Sequence, residues 1–209
     1  MQAPELPDDE SARLAELIGF GVLDTPSEPG FDDISELARE LAGTEIALIT
    51  LVDADRQWFK SCVGLAPGVR ETPRQISFCG HTILQRDPLI VNDTLEDPRF
   101  VDNPLVTAEP RLRFYAGFPL ISAKGYALGS LCVCSRQPHQ LSAQQISSLQ
   151  RLASLTMQHL HLLRQRTARQ GPSGLASETL PPAVRQGLDR KSTRLNSSHS
   201  SVSRMPSSA

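Results

Sequence analysis

Cys79 and His81 stand two residues apart with Ser77 and Thr82 flanking them, so a thiol, an imidazole and two hydroxyls fall within residues 74–84. An imidazolium or a helix N-terminus beside a cysteine lowers its pKa, and such a pair can do redox chemistry or attach a cofactor. The same residues also suit a plainer role, in which the thiol packs as a small hydrophobe and the histidine bonds to backbone, and this second reading is preferred. Ser77 is a good helix N-cap, while Phe78, Ile83 and Leu84 can pack a short helix against a sheet. Residues 74–84 are therefore expected to form a pocket wall, with polar groups held in an apolar frame.

Cys132 and Cys134 fall on one face of a strand, but zinc calls for C-x-x-C knuckles or four converging ligands, so packing is expected there and no metal. His159 and His161 lie two apart on a helix and face different ways, which argues against a shared metal. Trp58, Phe114, Tyr115 and Phe118 suit either a pocket or a core. Asp53, Asp55 and Arg56 read as a hairpin turn with local charge pairing rather than a catalytic acid pair. The expected ligand-binding set is Trp58, Phe78, Cys79, His81, Thr82, Asp93, Phe114 and Tyr115, with no catalytic residue, no metal ligand and no identified cofactor.

These residues need a scaffold, and the apolar periodicity supplies one. Leu14, Leu17 and Ile18 mark a first helix stopped by Gly19 and Gly21, with Asp8, Asp9 and Glu10 as acidic groups of its first turn. Phe31, Ile34, Leu37, Ala38 and Leu41 mark a second helix that ends at Gly43. Residues 46–52 are apolar and partly β-branched, which predicts a strand buried on both faces. Residues 57–63 read as its hairpin partner, with Trp58, Lys60 and Cys62 on one face and Phe59, Ser61 and Val63 on the other. After the Gly- and Pro-rich loop 64–73 and the short helix comes a brief strand at 89–92. Residues 93–111 then read as a loop broken by Pro98, Pro104 and Pro110, anchored by Phe100, Leu105 and Val106, and so a candidate lid. Residues 113–122 and 127–135 predict an antiparallel pair. Ser142 with Gln145 has the form of a capping box at the head of a long helix, whose seam runs through Ile146, Leu149, Ala153, Thr156, Leu160 and Leu163.

Composition narrows the function classes. The chain has 209 residues, 21 Lys+Arg and 23 Asp+Glu. Residues 189–209 carry a net charge of +3 and residues 1–188 a net −5, so the body lacks the clustered basic charge of a nucleic-acid-binding face. No apolar run approaches the roughly 20 residues needed to span a bilayer. Four cysteines without a secretory signal predict free thiols in a reducing compartment, hence a cytoplasmic location.

Read together, the blocks Gly21-Val22-Leu23-Asp24-Thr25-Pro26, Asp55-Arg56-Gln57-Trp58-Phe59-Lys60-Ser61, Ser77-Phe78-Cys79, Asp97-Pro98-Arg99-Phe100, Asn103-Pro104-Leu105-Val106 and Leu128-Gly129-Ser130-Leu131-Cys132-Val133 resemble a GAF domain. This is a small-molecule-binding module of bacterial sensor kinases and cyclic-dinucleotide enzymes. The resemblance implies an α+β fold, related to PAS domains: an antiparallel sheet of five or six strands, terminal helices on one face, a short helix and loops closing a pocket on the other. Gly80 stands where the family pattern leads one to expect Ala, which weakens the short helix by roughly 1 kcal/mol. Cys134-Ser135 stands where an aliphatic-acidic pair is expected. Some members bind bilins through a Cys followed directly by His, but here Gly80 intervenes. Reductases of the family carry a cysteine near Cys79, yet no partner cysteine lies between Cys79 and Cys132, which disfavours that chemistry.

The expected organisation is an N-terminal extension at 1–13, the GAF domain at 14–166, a flexible linker at 167–188 and a tail at 189–209. That tail resembles the in-frame translation of a sequencing adapter and is set aside as an artefact. The expected function is a bacterial sensory module, itself no enzyme, that binds a small molecule and signals through its C-terminal helix to a kinase or cyclase lost by truncation. A homodimer through the terminal helices is expected, with no nucleic-acid partner and no membrane contact. The alternatives are a thiol-dependent reductase centred on Cys79 and a purely structural dimerisation module.

Overall fold

The uninterrupted apolar run Ile46–Val52 becomes β1, buried along its whole length at the middle of the sheet. The computed structural model describes residues 1–170, with side chains through residue 166. Two helices precede the sheet, α1 (Glu10–Phe20) and α2 (Pro29–Ala42), each ended by a glycine in the left-handed conformation, Gly21 and Gly43. After β1 come β2 (Arg56–Val63), β3 (Glu71–Pro73), α3 (Phe78–Thr82), β4 (Leu89–Val91), α4 (Pro104–Thr107), β5 (Phe114–Ile121), β6 (Ala127–Ser135) and α5 (Ala143–Gln170). The six strands pair antiparallel in the order β3-β2-β1-β6-β5-β4, so the α+β architecture expected from the sequence is the observed one.

Strand alternation divides the side chains into two cores. Ala47, Ile49 and Leu51 of β1 meet Leu131 and Val133 of β6 and the helical residues Leu17, Phe31, Ala38, Leu149 and Leu160. Ile46, Leu48 and Val52 point the other way, toward Phe59, Tyr115, Cys132, Cys134 and the residues of α3 and the following loops. The helix α5 begins with the expected capping box: Gln145 N–H donates to Ser142 Oγ at 3.3 Å and Ser142 N–H donates to Gln145 Oε1 at 2.9 Å. Its seam residues Leu149, Ala153, Thr156 and Leu160 are buried.

Four local readings change. The simple alternation expected for residues 57–63 fails at a β-bulge: Phe59 pairs with Thr50 and Ser61 with Ile49, so Lys60 has no residue opposite it. Lys60 and Ser61 then both face the helices, where Lys60 Nζ donates to Thr25 Oγ1 and Glu28 Oε1 and Ser61 Oγ donates to Asp32. Cys62 is thereby shifted to the other face. The 93–111 loop contains a regular element after all, α4, because Pro104 occupies its first turn and Asn103 caps it. The edge strand β3 lies inside the expected Gly/Pro loop. The helix α5 runs through 167–170, residues expected to open the linker; the remainder of that linker and the 189–209 tail lie outside the described residues.

The first residues pack on α3. Gln2 N–H donates to Arg99 O at 3.1 Å, and a Cβ on Gly80 would come within 2.6 Å of Pro4 Cγ. The glycine that weakens α3 as a helix is what lets Pro4 lie against it.

Candidate functional site

Between the sheet and α3, closed by the loops 64–70 and 104–112, lies a cavity of about 460 Å³. That is within the range of roughly 300–1,000 Å³ typical of small-molecule sites. Leu48, Phe59, Phe78, Leu105, Leu112 and Tyr115 give it apolar walls, and Cys79, Cys132 and Cys134 line it on the sheet and α3 side. Gln57 and Thr72 are its polar wall groups, while the exposed Glu109 and Arg136 stand at its rim.

Of the eight residues expected to bind ligand, Phe78, Cys79 and Tyr115 line this cavity. Trp58 and Phe114 do not: both belong to the core under the helices, as does Phe118. The reason is parity. Phe114 and Tyr115 are adjacent in one strand, as are Trp58 and Phe59, so one of each pair must face the helices. His81 lies on the outer side of α3, its Nε2 3.1 Å from Gln2 O and its ring edge-on to Phe100. Thr82, the last residue of α3, is buried and exchanges a 2.6 Å hydrogen bond with the Tyr115 hydroxyl rather than lining the cavity. Asp93 accepts from Arg113 Nε and Nη2 at 2.9 and 2.6 Å, which pins the start of the loop rather than facing the cavity. Sequence reasoning passed over the loop residues Leu65, Ala66 and Val69, the 105–112 segment as individual contacts, and the Gln57/Thr72 pair. The apolar anchors of the 93–111 loop were the one available signal for these.

Local architecture explains how α3 holds its place. Ser77 Oγ accepts from Gly80 N–H at 2.9 Å, the expected N-cap, and donates to Gln57 Oε1. Tyr115 lies over Gly117, where a Cβ would come within 2.1 Å of its hydroxyl oxygen, so a larger residue there would expel the ring from beneath α3.

Cys79 does have a thiol partner. Its Sγ is 3.7 Å from that of Cys132, a neighbour concealed by 53 residues of sequence separation, and it accepts from the Tyr115 hydroxyl at 3.3 Å. Burial pushes the Cys79 thiol and the Tyr115 phenol well above their ordinary pKa values; the Cys134 hydrogen bond, with burial, does the same for Cys132. Burial likewise lowers the His81 pKa, so no imidazolium activates the thiol. The cluster is a set of protonated groups at ordinary pH, a poor source of thiolate. Among the described residues no group of three or more His, Cys, Asp or Glu could hold a metal ion, and no helix is long and apolar enough to cross a membrane.

Comparison with known proteins adds to this geometry. The profile of the GAF domain family matches residues 28–160. A Pseudomonas aeruginosa protein named a cyclic di-GMP phosphodiesterase is 42% identical over 176 residues, covering 84% of this chain. The chain spans 30% of that relative's length. Among solved structures, the GAF domain of an Acinetobacter phosphoenolpyruvate-protein phosphotransferase is similar with a TM-score of 0.55 at 16% identity, covering 75% of this chain and 95% of its own. A free methionine-R-sulfoxide reductase from Neisseria meningitidis, determined with its substrate, reaches 0.55 at 19% identity, covering 79% and 99%. At such identities these structures speak to the fold. The expectation of no enzyme is corrected by the P. aeruginosa relative, which is named for an enzymatic activity and matches most of the chain.

Proposed function

Because this chain belongs to the GAF domain family, we propose that it is the ligand-sensing part of a cyclic di-GMP phosphodiesterase, with a small molecule in the cavity beneath α3 altering the packing of α5. The cavity is the observation that carries this reading, since its wall is shared by the sheet, α3 and the 104–112 loop. The strand β6 links it to the helices: Cys132 and Cys134 face the cavity, whereas Leu131 and Val133 pack in the core that holds Leu149 and Leu160 of α5. A ligand that fits one arrangement of β6 better than another would bias the helix by that difference in affinity. The phosphodiesterase output is taken from the named relative.

The reading includes a homodimer through α5, where Leu155 and Leu162 lie seven residues apart and are 51% and 52% exposed. A cytoplasmic setting fits the four free cysteines.

The test fills the cavity. Leu105→Trp, from the loop side, keeps the sheet intact, and Leu48→Phe serves as a second variant. A small molecule that saturably raises the melting temperature of the parent should lose that effect in both. In the intact gene product the same compound should change the rate of cyclic di-GMP hydrolysis in the parent only. A ligand effect that survives both fillings, or an intact protein that leaves cyclic di-GMP unhydrolysed, contradicts the reading.

A further inference from the structure

The Tyr115 hydroxyl in the cavity wall is already partnered by Thr82 and Cys79, whereas Gln57 and Thr72 offer a hydrogen-bonding spot with capacity to spare. Gln57 and Thr72 are direct partners across β2 and β3, so their side chains are neighbours on one face. Both line the cavity. The Gln57 carboxamide oxygen is taken by Ser77 Oγ, which leaves the amide nitrogen as the donor end. The Thr72 hydroxyl oxygen is buried and has no hydrogen-bond partner. A buried hydroxyl without a partner forfeits the hydrogen bonds it had in water, so a polar atom entering the cavity beside it would be favoured. Two donors side by side suit a single acceptor oxygen.

The charge of the ligand follows from where charges are absent. The cavity-lining cation is Arg136 and the lining carboxylate is Glu109; both are solvent-exposed rim residues of opposite sign, and Glu109 also pairs with Arg111 at 3.5 Å. An anion carried inside would lie among Leu48, Phe59, Phe78 and Leu112 with no cation to compensate it. Protonated Cys79, Cys132 and Tyr115 on the same wall fit the same low polarity. A nucleotide phosphate would find a single guanidinium, at the mouth.

We infer that the cavity takes an uncharged, largely apolar molecule bearing one carbonyl group, whose oxygen is bound by the Gln57–Thr72 pair. This rests on the cavity being the ligand site and adds the chemistry of what fills it.

The test uses the full chain and four probes: decanamide, decanoate, phenylalanine and cyclic GMP, titrated by calorimetry and thermal shift at pH 8. Decanamide is expected to bind saturably and at least tenfold more tightly than each of the others. Thr72→Val should weaken decanamide several-fold while leaving the unliganded protein as stable or more so, because it removes an unpartnered hydroxyl. Thr72→Ser should restore binding. A merely structural threonine would give the opposite pattern, lower stability with affinity unchanged. If another probe matches or exceeds decanamide and is still excluded by Leu105→Trp, the carbonyl class is overturned while the cavity stands as the ligand site. If decanamide binds equally well to Leu105→Trp and Leu48→Phe, both the class and the cavity reading fail. If decanamide does not bind at all, the class is overturned.

Discussion

Glu10 lies between two guanidiniums, with Arg13 Nε and Nη2 donating at 2.7 and 2.8 Å and Arg74 Nη1 donating to the same carboxylate. The sequence suggests a helix-dipole role for this acidic residue, but its partners are more specific: it ties the start of α1 to Arg74, at the head of the stretch that leads into α3. Arg74 also donates to Asp53 O at 2.9 Å, while its Nε and Nη2 are buried without partners. Burial pushes the Glu10 carboxyl up, but the Arg13 and Arg74 hydrogen bonds outweigh it and hold the pKa at about 2. A carboxyl lowered on folding contributes stability that is present above its ordinary value of 4.5 and is lost as pH falls toward about 2. Screening by solvent trims this contribution to about 1–2 kcal/mol. Glu10→Gln should therefore lower the urea-unfolding free energy by that amount at pH 7, and the gap from the parent should shrink steadily between pH 4.5 and pH 2. A gap that stays constant across this range would exclude the ion-pair account.

At the scale of elements, the bulge in β2 does two jobs. It turns Ser61 to the helix side beside the fully buried Lys60, and it moves Cys62 to the face opposite Trp58. Lys60 Nζ reaches Thr25 Oγ1 at 2.8 Å, Pro26 O at 3.0 Å and Glu28 Oε1 at 2.7 Å, and lies 5.2 Å from the Phe31 ring centroid. Arg56, at the start of the same strand, pairs with Asp24 at 2.7 Å and Glu71 at 2.8 Å. The 24–28 turn is thus sewn onto the β1–β2 hairpin by two residues of β2. The acceptors of Lys60 are partly exposed, so water can replace the ammonium more easily than anything can replace the buried stem. Lys60→Ala is expected to cost about 2–3 kcal/mol and Lys60→Met about 1 kcal/mol, read from chemical denaturation. Equal losses would mean that the charge, and not the packed stem, is what β2 requires.

For the whole molecule, the proposed signal leaves through α5, and the proposed dimer uses the exposed Leu155 and Leu162 of that helix. Leu155→Glu together with Leu162→Glu should convert a sedimenting dimer to a monomer while leaving the melting temperature within a few degrees of the parent, because both side chains already face solvent. A parent that sediments as a monomer at micromolar concentration would remove the dimer from the proposal. The same helix shows why the sequence was legible at this scale: its capping pair and its three-and-four spacing are local signals, and local signals survive in a one-dimensional reading.

What the sequence determined by itself was the order of the long helices and strands, though not the short β3 and α4, together with the buried centre of the sheet, the N-cap of α3 and, through its ordered blocks, the family. Each depends on residues close together in the chain or on apolar periodicity. Tertiary structure alone decided which aromatic of each adjacent pair faces the cavity, because alternation says only that the two differ and the pairing register says which is which; past Phe59 the bulge at Lys60 resets that alternation for Ser61 and Cys62. It also decided that Cys79 meets Cys132, that Gly80 makes room for Pro4, and that Thr72 and Gln57 share a wall. These are contacts between distant segments, and they exist only once the sheet has paired.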